Sequence, residues 1–170
     1  MEQLTLRTAR PDELPALSAL VARSFRALGA ACYTAAEIEG ALEHRLIRAD
    51  ARLVEAGSYF VAELGGTMAG CGGWSDTFPT VPGLSLPAPR AEVRAMFVAP
   101  ELARNGVGRA LLAAAEGAAL EAGWTRAHLV ATLSGVPFYR ACGYTPLGDH
   151  GVPIPGGGRL MVTLMERALG

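Results

Sequence analysis

The chain has 170 residues and a mass of 17.7 kDa, a size at which one domain buries a hydrophobic core without disulfides or metals. Hydrophobic residues make up 51% and charged residues 18% of the sequence, a balance that excludes an intrinsically disordered chain. The net charge of −1 leaves no basic excess for the phosphates of a nucleic acid. The sequence also has no apolar run of about 20 residues that would predict a membrane span.

The cysteines and the N-terminal segment indicate the cellular compartment, and the histidines bear on metal binding. The three cysteines, Cys32, Cys71 and Cys142, lie far apart and form neither a CxxC pair nor a disulfide framework. The three histidines show no metal-ligand spacing. The N-terminal segment lacks a basic start followed by a long apolar run, so no signal peptide is predicted. We therefore expect a cytoplasmic protein with one domain over residues 1–170, no metal, and no nucleic-acid or membrane partner.

The first half of the chain predicts a strand, two helices and a hairpin. A first strand alternates apolar and polar residues over 4–7. Pro11 suits the first turn of a helix that runs to about Leu28, and Thr34 and Glu37 have the spacing of a capping box at the start of a second helix. Strands are then predicted at 59–64 and 67–74, joined by a Gly65-Gly66 hairpin. The second of these strands contains three glycines, which indicates that another group approaches its backbone closely.

The second half predicts a mixed α/β, or α+β, fold. A loop with four prolines over 76–90 precedes the clearest strand, at 91–98. The remaining predicted elements are a helix at 107–122, a strand at 126–131, a short helix at 135–142, and strands at 144–147 and 159–166 around a loop at 151–158. This order predicts a mostly antiparallel sheet of about seven strands, about four flanking helices and one parallel strand–helix–strand crossover.

A glycine-rich turn between strand 91–98 and helix 107–122 predicts an anion site. Its sequence, Arg104-Asn105-Gly106-Val107-Gly108-Arg109, leads directly into the helix. Unpaired N–H groups at a helix start suit a phosphate or pyrophosphate. The alternative is an ordinary turn whose glycines only relieve backbone strain. A P-loop is excluded because the chain has no Gly-Lys pair, and a dinucleotide fingerprint lacks its third glycine.

Two motifs resemble those of the GCN5-related N-acetyltransferases (GNAT). Met96-Phe97-Val98-Ala99-Pro100, followed by the glycine-rich turn and a helix, resembles the acetyl-CoA signature of that family. Phe138-Tyr139-Arg140-Ala141-Cys142-Gly143-Tyr144 resembles its second signature. The order of elements matches from residue 4 to residue 166. The resemblance implies a GNAT-like fold in which the strand that carries Met96 is splayed from its neighbour, and an acetyl-CoA-dependent N-acetyltransferase.

The resemblance also implies residue roles. The backbone of Met96, Phe97 and Val98 would pair with the pantetheine arm, and an N–H there would polarise the thioester. The loop Arg104–Arg109 would hold the pyrophosphate, although Ala103 stands where the family often has Gln or Arg. Tyr139 would protonate the departing thiolate, or would only pack under the cofactor. An asparagine that often precedes the tyrosine helix is absent, and Thr132 or Ser134 would replace it with a hydroxyl.

The general base is predicted less directly. The acceptor amine must lose a proton before it attacks. Strand alternation places Glu92, Arg94, Met96 and Val98 on one face, and some lysine acetyltransferases of the family have a glutamate base at the offset of Glu92. The alternatives are an exposed glutamate paired with Arg94, and deprotonation through water or a backbone carbonyl.

These observations predict direct transfer of an acetyl group from acetyl-CoA to a primary amine in a ternary complex. The alternatives are another acyl donor, a protein N-terminus or lysine as acceptor, and a CoA-binding regulatory module without catalysis. An acidic open groove would favour a cationic acceptor, and a closed apolar pocket around Trp74 would favour an aromatic or aliphatic amine. Edge strands offer a possible homodimer by analogy of fold.

Overall fold

The computed structural model of the chain describes residues 2–81, 84 and 90–170. Within them lie seven strands: β1 Leu4–Thr8, β2 Tyr59–Leu64, β3 Thr67–Ser75, β4 Ala91–Val98, β5 Arg126–Thr132, β6 Thr145–Pro153 and β7 Arg159–Ala168. The described residues also form five α-helices: α1 Leu14–Gly29, α2 Ala35–Glu43, α3 Ala51–Glu55, α4 Val107–Glu121 and α5 Val136–Ala141. Short 3₁₀ turns lie at Pro11–Glu13, Pro100–Leu102 and Leu133–Gly135.

The strands form one mixed sheet in the order β1-β2-β3-β4-β5-β7-β6. Neighbouring strands are antiparallel except β4 and β5, which are parallel and connected through α4. A parallel pair needs a crossover of this kind, because a tight turn cannot return the chain to the same end of the sheet. The predicted fold class, with its seven strands and single parallel crossover, is confirmed.

Helices pack on both faces of the sheet because the side chains of its strands alternate. Val61 of β2 and Cys71 of β3 pack with residues of α1 and α3 on one face. Ala62 and Ala69 pack with Leu111 of α4 on the other. Successive strand residues point to opposite faces, so the same short strands supply both cores.

The sheet splits between β4 and β5 after three paired positions. Ala91 to Val93 pair with Ala127 to Leu129, and the ladder ends there. On the other side of β4, the register against β3 passes from Cys71↔Phe97 to Gly73↔Arg94, so that Ala95 and Met96 oppose the single residue Gly72. Ala95 has φ 51°, a left-handed conformation that is rare outside glycine. This bulge turns β4 away from β5 and leaves a gap.

The glycines of β3 are required by contacts within the protein. A Cβ atom at Gly72 would overlap the side chain of Met96, and one at Gly73 would overlap the backbone at Ser58. The close approach predicted from these glycines therefore comes from β4 and from the segment before β2.

Several predicted boundaries differ from the structure. The capping box at Thr34 and Glu37 forms as predicted, and the helix that it begins ends at Glu43. The short helix α3 was not predicted, because five residues give no periodic pattern. Strand β6 extends to Pro153, well beyond the predicted 144–147, so most of the predicted loop at 151–158 is strand or turn. Its glycines concealed it: Gly151 pairs with Met161 although glycine is a poor strand former.

Most of the predicted loop at 76–90 lies outside the described residues, which include only 76–81, 84 and 90 of it. In the part of the chain that is described, no helix has both the length and the apolar character needed to cross a bilayer.

Candidate active site

The gap between β4 and β5 opens into a cavity of about 540 Å³. Residues from α1, β4, β5 and α5 surround it, together with the turn before α4. One end reaches the glycine-rich turn, the middle passes between the separated strands, and the far end reaches Arg48, Asp50, Thr80 and Arg94. A single cavity thus connects an anion-binding turn to a polar group on the opposite side of the gap.

The glycine-rich turn presents unpaired backbone donors to the cavity. Within the described residues, the amide N–H groups from Arg104 to Arg109 have no hydrogen-bond acceptor, and α4 has no side-chain cap. Asn105 closes the turn from outside, since its side chain donates to the carbonyl oxygens of Leu102 and Ala103 at 3.1 and 3.3 Å. Free N–H groups at the positive end of a helix dipole form an anion site.

The structure separates the residues predicted for the pyrophosphate into two sets. Arg104, Gly106, Gly108 and Arg109 line the cavity. Val107 points into the core beneath α4 and is 1% exposed, so it contributes only its backbone. Gly106, at φ 79°, makes the left-handed turn into the helix. A Cβ atom at Gly108 would lie 3.2 Å from the ring of Phe138, so glycine there allows α4 and α5 to pack closely.

The open edge of β4 forms the middle of the cavity wall. Met96, Phe97 and Val98 all line the cavity. Phe97 and Val98 are paired with β3 on one side and Met96 lies in the bulge, while the ladder with β5 has already ended at Val93. The backbone on the β5 side of this segment is therefore available to pair with an extended ligand, as an added strand would.

Tyr139 reaches the cavity from α5. Its ring packs edge-on against Phe138 and Tyr144, with centroid separations of 5.1 and 5.8 Å. Its hydroxyl makes no hydrogen bond within the described residues. Burial raises the pKa of Tyr139, so the phenol remains protonated at neutral pH. The structure thus places Tyr139, with its phenol protonated, in the wall of the cavity.

Two hydroxyls occupy the position before the tyrosine helix. Thr132 and Ser134 both line the cavity, and their hydroxyl oxygens lie 3.3 Å apart. The sequence could not distinguish between them, and the structure places both at the cavity.

Glu92 lies beside the cavity and not in its wall. It is 1% exposed, and its carboxylate accepts a hydrogen bond from Arg90 Nε at 2.8 Å and others from the backbone N–H and hydroxyl of Thr80. Thr80 itself lines the cavity. The predicted common face of Glu92, Arg94, Met96 and Val98 was wrong, because the bulge at Ala95 breaks the strand alternation.

The polar far end of the cavity was not predicted from the sequence. Asp50 precedes α3 and caps it by accepting a hydrogen bond from Arg52 N at 3.0 Å. Its carboxylate also lies 3.4 Å from Arg94 Nη2. Burial acts to raise the pKa of Asp50, but the hydrogen bonds from Arg52 and the charge of Arg94 outweigh it and hold the pKa below its usual value. The only sequence signal was the N-cap aspartate, which says nothing of its tertiary partners.

Trp74, Tyr33 and Cys71 lie outside the cavity wall. Trp74 is partly buried and packs against the core beneath α4. Tyr33 is buried between α1 and α2, where its hydroxyl donates to the Met161 carbonyl and accepts from Leu133 N. Cys71 is fully buried, and burial raises the pKa of its thiol to about 12. Across the described residues, no cluster of three or more His, Cys, Asp or Glu side chains could hold a metal ion.

Comparison with protein families identifies a match over most of the chain. The family model described as "Acetyltransferase (GNAT) family" matches residues 19–144. This segment includes most of α1, the splayed strands, the glycine-rich turn and α5. No protein of curated function matches the chain by sequence.

Solved structures with this architecture come from several organisms. A GCN5-related N-acetyltransferase from Rhodopseudomonas palustris has a TM-score of 0.80 and 22% identity, over 99% of this chain and 98% of that one. PaiA N-acetyltransferase from Thermoplasma acidophilum, in complex with coenzyme A, has a TM-score of 0.70 and 17% identity, over 98% and 99%. YncA from Salmonella typhimurium, with its cofactor acetyl-CoA, has a TM-score of 0.62 and 19% identity, over 98% and 94%. At these identities the likeness is one of fold.

Proposed function

The chain belongs to the GNAT acetyltransferase family, and from that premise we propose that it transfers an acetyl group from acetyl-CoA to a primary amine. The observation that carries this proposal is the continuous cavity through the gap between β4 and β5. Two substrates entering from opposite ends would meet at the open edge of β4. The amine would then attack the thioester directly in a ternary complex.

The donor end fits a coenzyme A thioester. The free N–H groups of the turn Arg104–Arg109 would hold the pyrophosphate, and the Arg104 and Arg109 guanidiniums would add positive charge. The open backbone from Met96 to Val98 would hydrogen-bond the pantetheine amides and direct an N–H at the thioester oxygen. The hydroxyls of Thr132 and Ser134 would provide further polar contacts.

Tyr139 is the proposed general acid. A thiolate leaves more readily when it receives a proton as the C–S bond breaks. Tyr139 lines the cavity, and its hydroxyl is protonated at neutral pH, because burial raises its pKa, and has no competing acceptor within the described residues. Water would return the proton to Tyr139 after the product leaves.

Glu92 is the proposed general base, acting through Thr80. Thr80 lies in the cavity wall, and its hydroxyl donates to the Glu92 carboxylate. An ammonium proton passed to the Thr80 oxygen would release the hydroxyl proton to Glu92, so that the charge moves without Glu92 touching the substrate. Asp50 is a poorer base because its arginine contacts hold its pKa below the usual value.

A cysteine acyl-enzyme is not favoured. Cys71 is fully buried, with a pKa raised to about 12, so its thiol is neither accessible nor ionised at neutral pH. Cys142 does not contribute to the wall of the cavity, and burial also raises its pKa. A ping-pong route needs an activated thiolate at the site of reaction.

Two measurements test the proposed function on the whole chain. Calorimetry should show micromolar binding of acetyl-CoA, and a thiol-release assay with a panel of amines should show turnover on at least one. Absence of acetyl-CoA binding would overturn the donor assignment. Binding without thiol release on any amine would instead favour the alternative of a CoA-binding module without catalysis.

A further inference from the structure

The far end of the cavity carries more positive than negative charge. Asp50 Oδ2 lies 3.0 Å from Arg52, 3.4 Å from Arg94 and 4.0 Å from Arg48, so one carboxylate is shared by three guanidiniums. The charge of Glu92 also acts on Arg94, but Glu92 is paired with Arg90, so that pair adds no net charge to this end. The group Arg48, Asp50, Arg52 and Arg94, which we call the arginine group, therefore has a net charge of +2.

Arg94 is the least solvated member of the arginine group. Its side chain is 3% exposed, and its guanidinium lies 4.2 Å from the centroid of the Phe78 ring, against which Arg52 also packs at 3.8 Å. Burial lowers the pKa of Arg94 to about 10, while the charges of Asp50 and Glu92 act in the opposite direction. The guanidinium is still charged at neutral pH, and a buried charge needs a compensating partner.

The hydrogen-bonding capacity of Arg94 is only partly used. Within the described residues it donates from Nη1 to the Phe78 carbonyl at 2.8 Å and from Nη2 to Asp50 at 3.4 Å. A guanidinium has five N–H donors. The remaining donors belong to a side chain that lines the cavity, and their planar arrangement matches a carboxylate.

We infer that the acceptor is an amine that also carries a carboxylate, held by Arg94 and Arg48. This inference rests on the proposed function and specifies its acceptor. Arg48 lies in the cavity wall with a side chain 35% exposed, so it meets a ligand that enters from solvent. A substrate carboxylate supplies the negative charge that the arginine group lacks.

Apolar residues of the cavity wall define the rest of the acceptor. Phe25, Leu28, Leu46 and Ile47 line the same cavity as Arg48 and Arg94, and Leu46 and Ile47 immediately precede Arg48 in the chain. Only the bulge residue Ala95 separates Arg94 from Met96 in the chain, so Arg94 lies next to the open edge of β4. A small amino acid with an apolar side chain can therefore place its carboxylate at Arg94 and its amine near the open edge of β4. A lysine side chain or a polyamine would instead bring further positive charge to this end.

The test compares matched ligands on the CoA-saturated protein. Each pair consists of an apolar amino acid, such as alanine, valine, leucine or phenylalanine, and its carboxamide. We expect calorimetry to show at least one amino acid binding tenfold or more tightly than its amide. Arg94→Gln and Arg48→Gln should each reduce that ratio severalfold or more, with the affinity for acetyl-CoA unchanged. The second variant alters a partly exposed side chain, so it keeps the test valid if Arg94→Gln does not fold.

A control variant removes the same charge elsewhere. Arg23 is exposed and pairs with Glu101 at 2.6 Å, outside the cavity wall, so Arg23→Gln should leave the acid-to-amide ratio unchanged. Amides that bind as well as acids, or a ratio unaffected by both arginine variants, would overturn the inference. Because the readout is ligand binding, it is independent of turnover. A preference for amines without a carboxylate, with normal thiol release, would overturn the inference but leave the proposed function intact. Loss of acetyl-CoA binding would instead remove both the inference and the proposed function.

Discussion

The Tyr59 hydroxyl donates a hydrogen bond of 3.1 Å to the carbonyl oxygen of Ala95, the residue at the centre of the β4 bulge. Tyr59 is fully buried, and its hydroxyl also lies 3.2 Å from Cys71 Sγ. Ala95 has φ 51°, a conformation that costs an alanine about 1–2 kcal/mol. Tyr59 thus stabilises from within the core the distortion that opens the sheet.

Replacement of this hydroxyl should affect both stability and ligand affinity. Tyr59→Phe keeps the ring and removes the donor, so we expect a loss of about 1–2 kcal/mol in the free energy of unfolding. Affinity for acetyl-CoA should also fall severalfold, because the orientation of Met96 depends on the bulge. Urea denaturation and calorimetry measure the two effects. Thr163→Val is a matched control, since it removes a hydroxyl bonded to Asp149 at 2.8 Å on β7. It should lower stability alone, and an equal effect of both variants on affinity would contradict the role of Tyr59.

The glycine-rich turn should tolerate a methyl group but not a proline at Gly106. Proline requires φ near −65°, whereas Gly106 has φ 79°, and it removes one of the free N–H groups. Gly106→Pro should therefore abolish acetyl-CoA binding while the far-UV spectrum is retained. Gly106→Ala is the control, because a Cβ atom there has no neighbour within 4 Å. It should cost about 1 kcal/mol of stability and change affinity less than tenfold. Unchanged affinity in the proline variant would remove the turn from the donor site.

The sequence predicted the parts of the site that depend on local chain geometry. The turn before α4 and the tyrosine of α5 lie in contiguous motifs, whose conformation follows from nearby glycines and a helix start. The bulge at Ala95 had no such signal, since alanine has no preference for a left-handed conformation. It depends on Tyr59, which lies on a strand separated from β4 by β3 in the sheet.

The arginine group was hidden for the same physical reason. Asp50 and Arg94 are separated by 44 positions, and only the packing of α3 against the sheet brings them together. Glu92 illustrates the opposite case: the strand was predicted, but its alternation fails at one residue. Long-range contacts of single side chains and isolated backbone distortions are therefore what the sequence pattern left out.

Acid should remove a stabilising ion pair at the edge of the sheet. A hydrogen bond from Arg7 lowers the pKa of Glu13 to about 2 from its ordinary value of 4.5. A carboxyl group whose pKa is lower in the folded protein stabilises the fold at pH values above its pKa in the unfolded chain. Its contribution is lost as the pH falls from about 4.5 toward 2. Glu13→Gln should thus lower stability at pH 7 by about 1–2 kcal/mol.

The difference between Glu13→Gln and the parent chain should shrink as the pH approaches 2, when the parent carboxyl is itself protonated. Urea denaturation at several pH values measures it. Asp12→Asn is the control, because the Asp12 side chain is 82% exposed and its nearest arginine is 3.8 Å away. That variant should change stability little at any pH. A constant difference for Glu13→Gln between pH 7 and pH 2 would contradict the assignment.

Removal of the Tyr139 hydroxyl should slow turnover without weakening donor binding. Tyr139→Phe keeps the edge-on packing against Phe138 and Tyr144, and loss of a general acid typically costs about 10²-fold or more in rate. Thiol release with the best amine of the panel measures kcat, and calorimetry measures acetyl-CoA affinity. Tyr144→Phe removes a neighbouring hydroxyl that donates to Glu116 at 3.0 Å, and should leave kcat nearly unchanged. An equal rate in Tyr139→Phe and the parent chain would leave Tyr139 only a packing role.

The pH dependence of turnover should identify the route of the amine proton. If Glu92 receives it through Thr80, Glu92→Gln should alter the acid limb of the kcat/KM profile, because that limb reports the ionisation of the base. Thr80→Val should slow turnover comparably, since it breaks the relay while the Glu92–Arg90 pair is retained. Glu92→Gln keeps an oxygen acceptor for the Thr80 N–H, so this variant should fold. An acid limb identical in all three proteins would exclude Glu92 and assign deprotonation to water or to a backbone carbonyl.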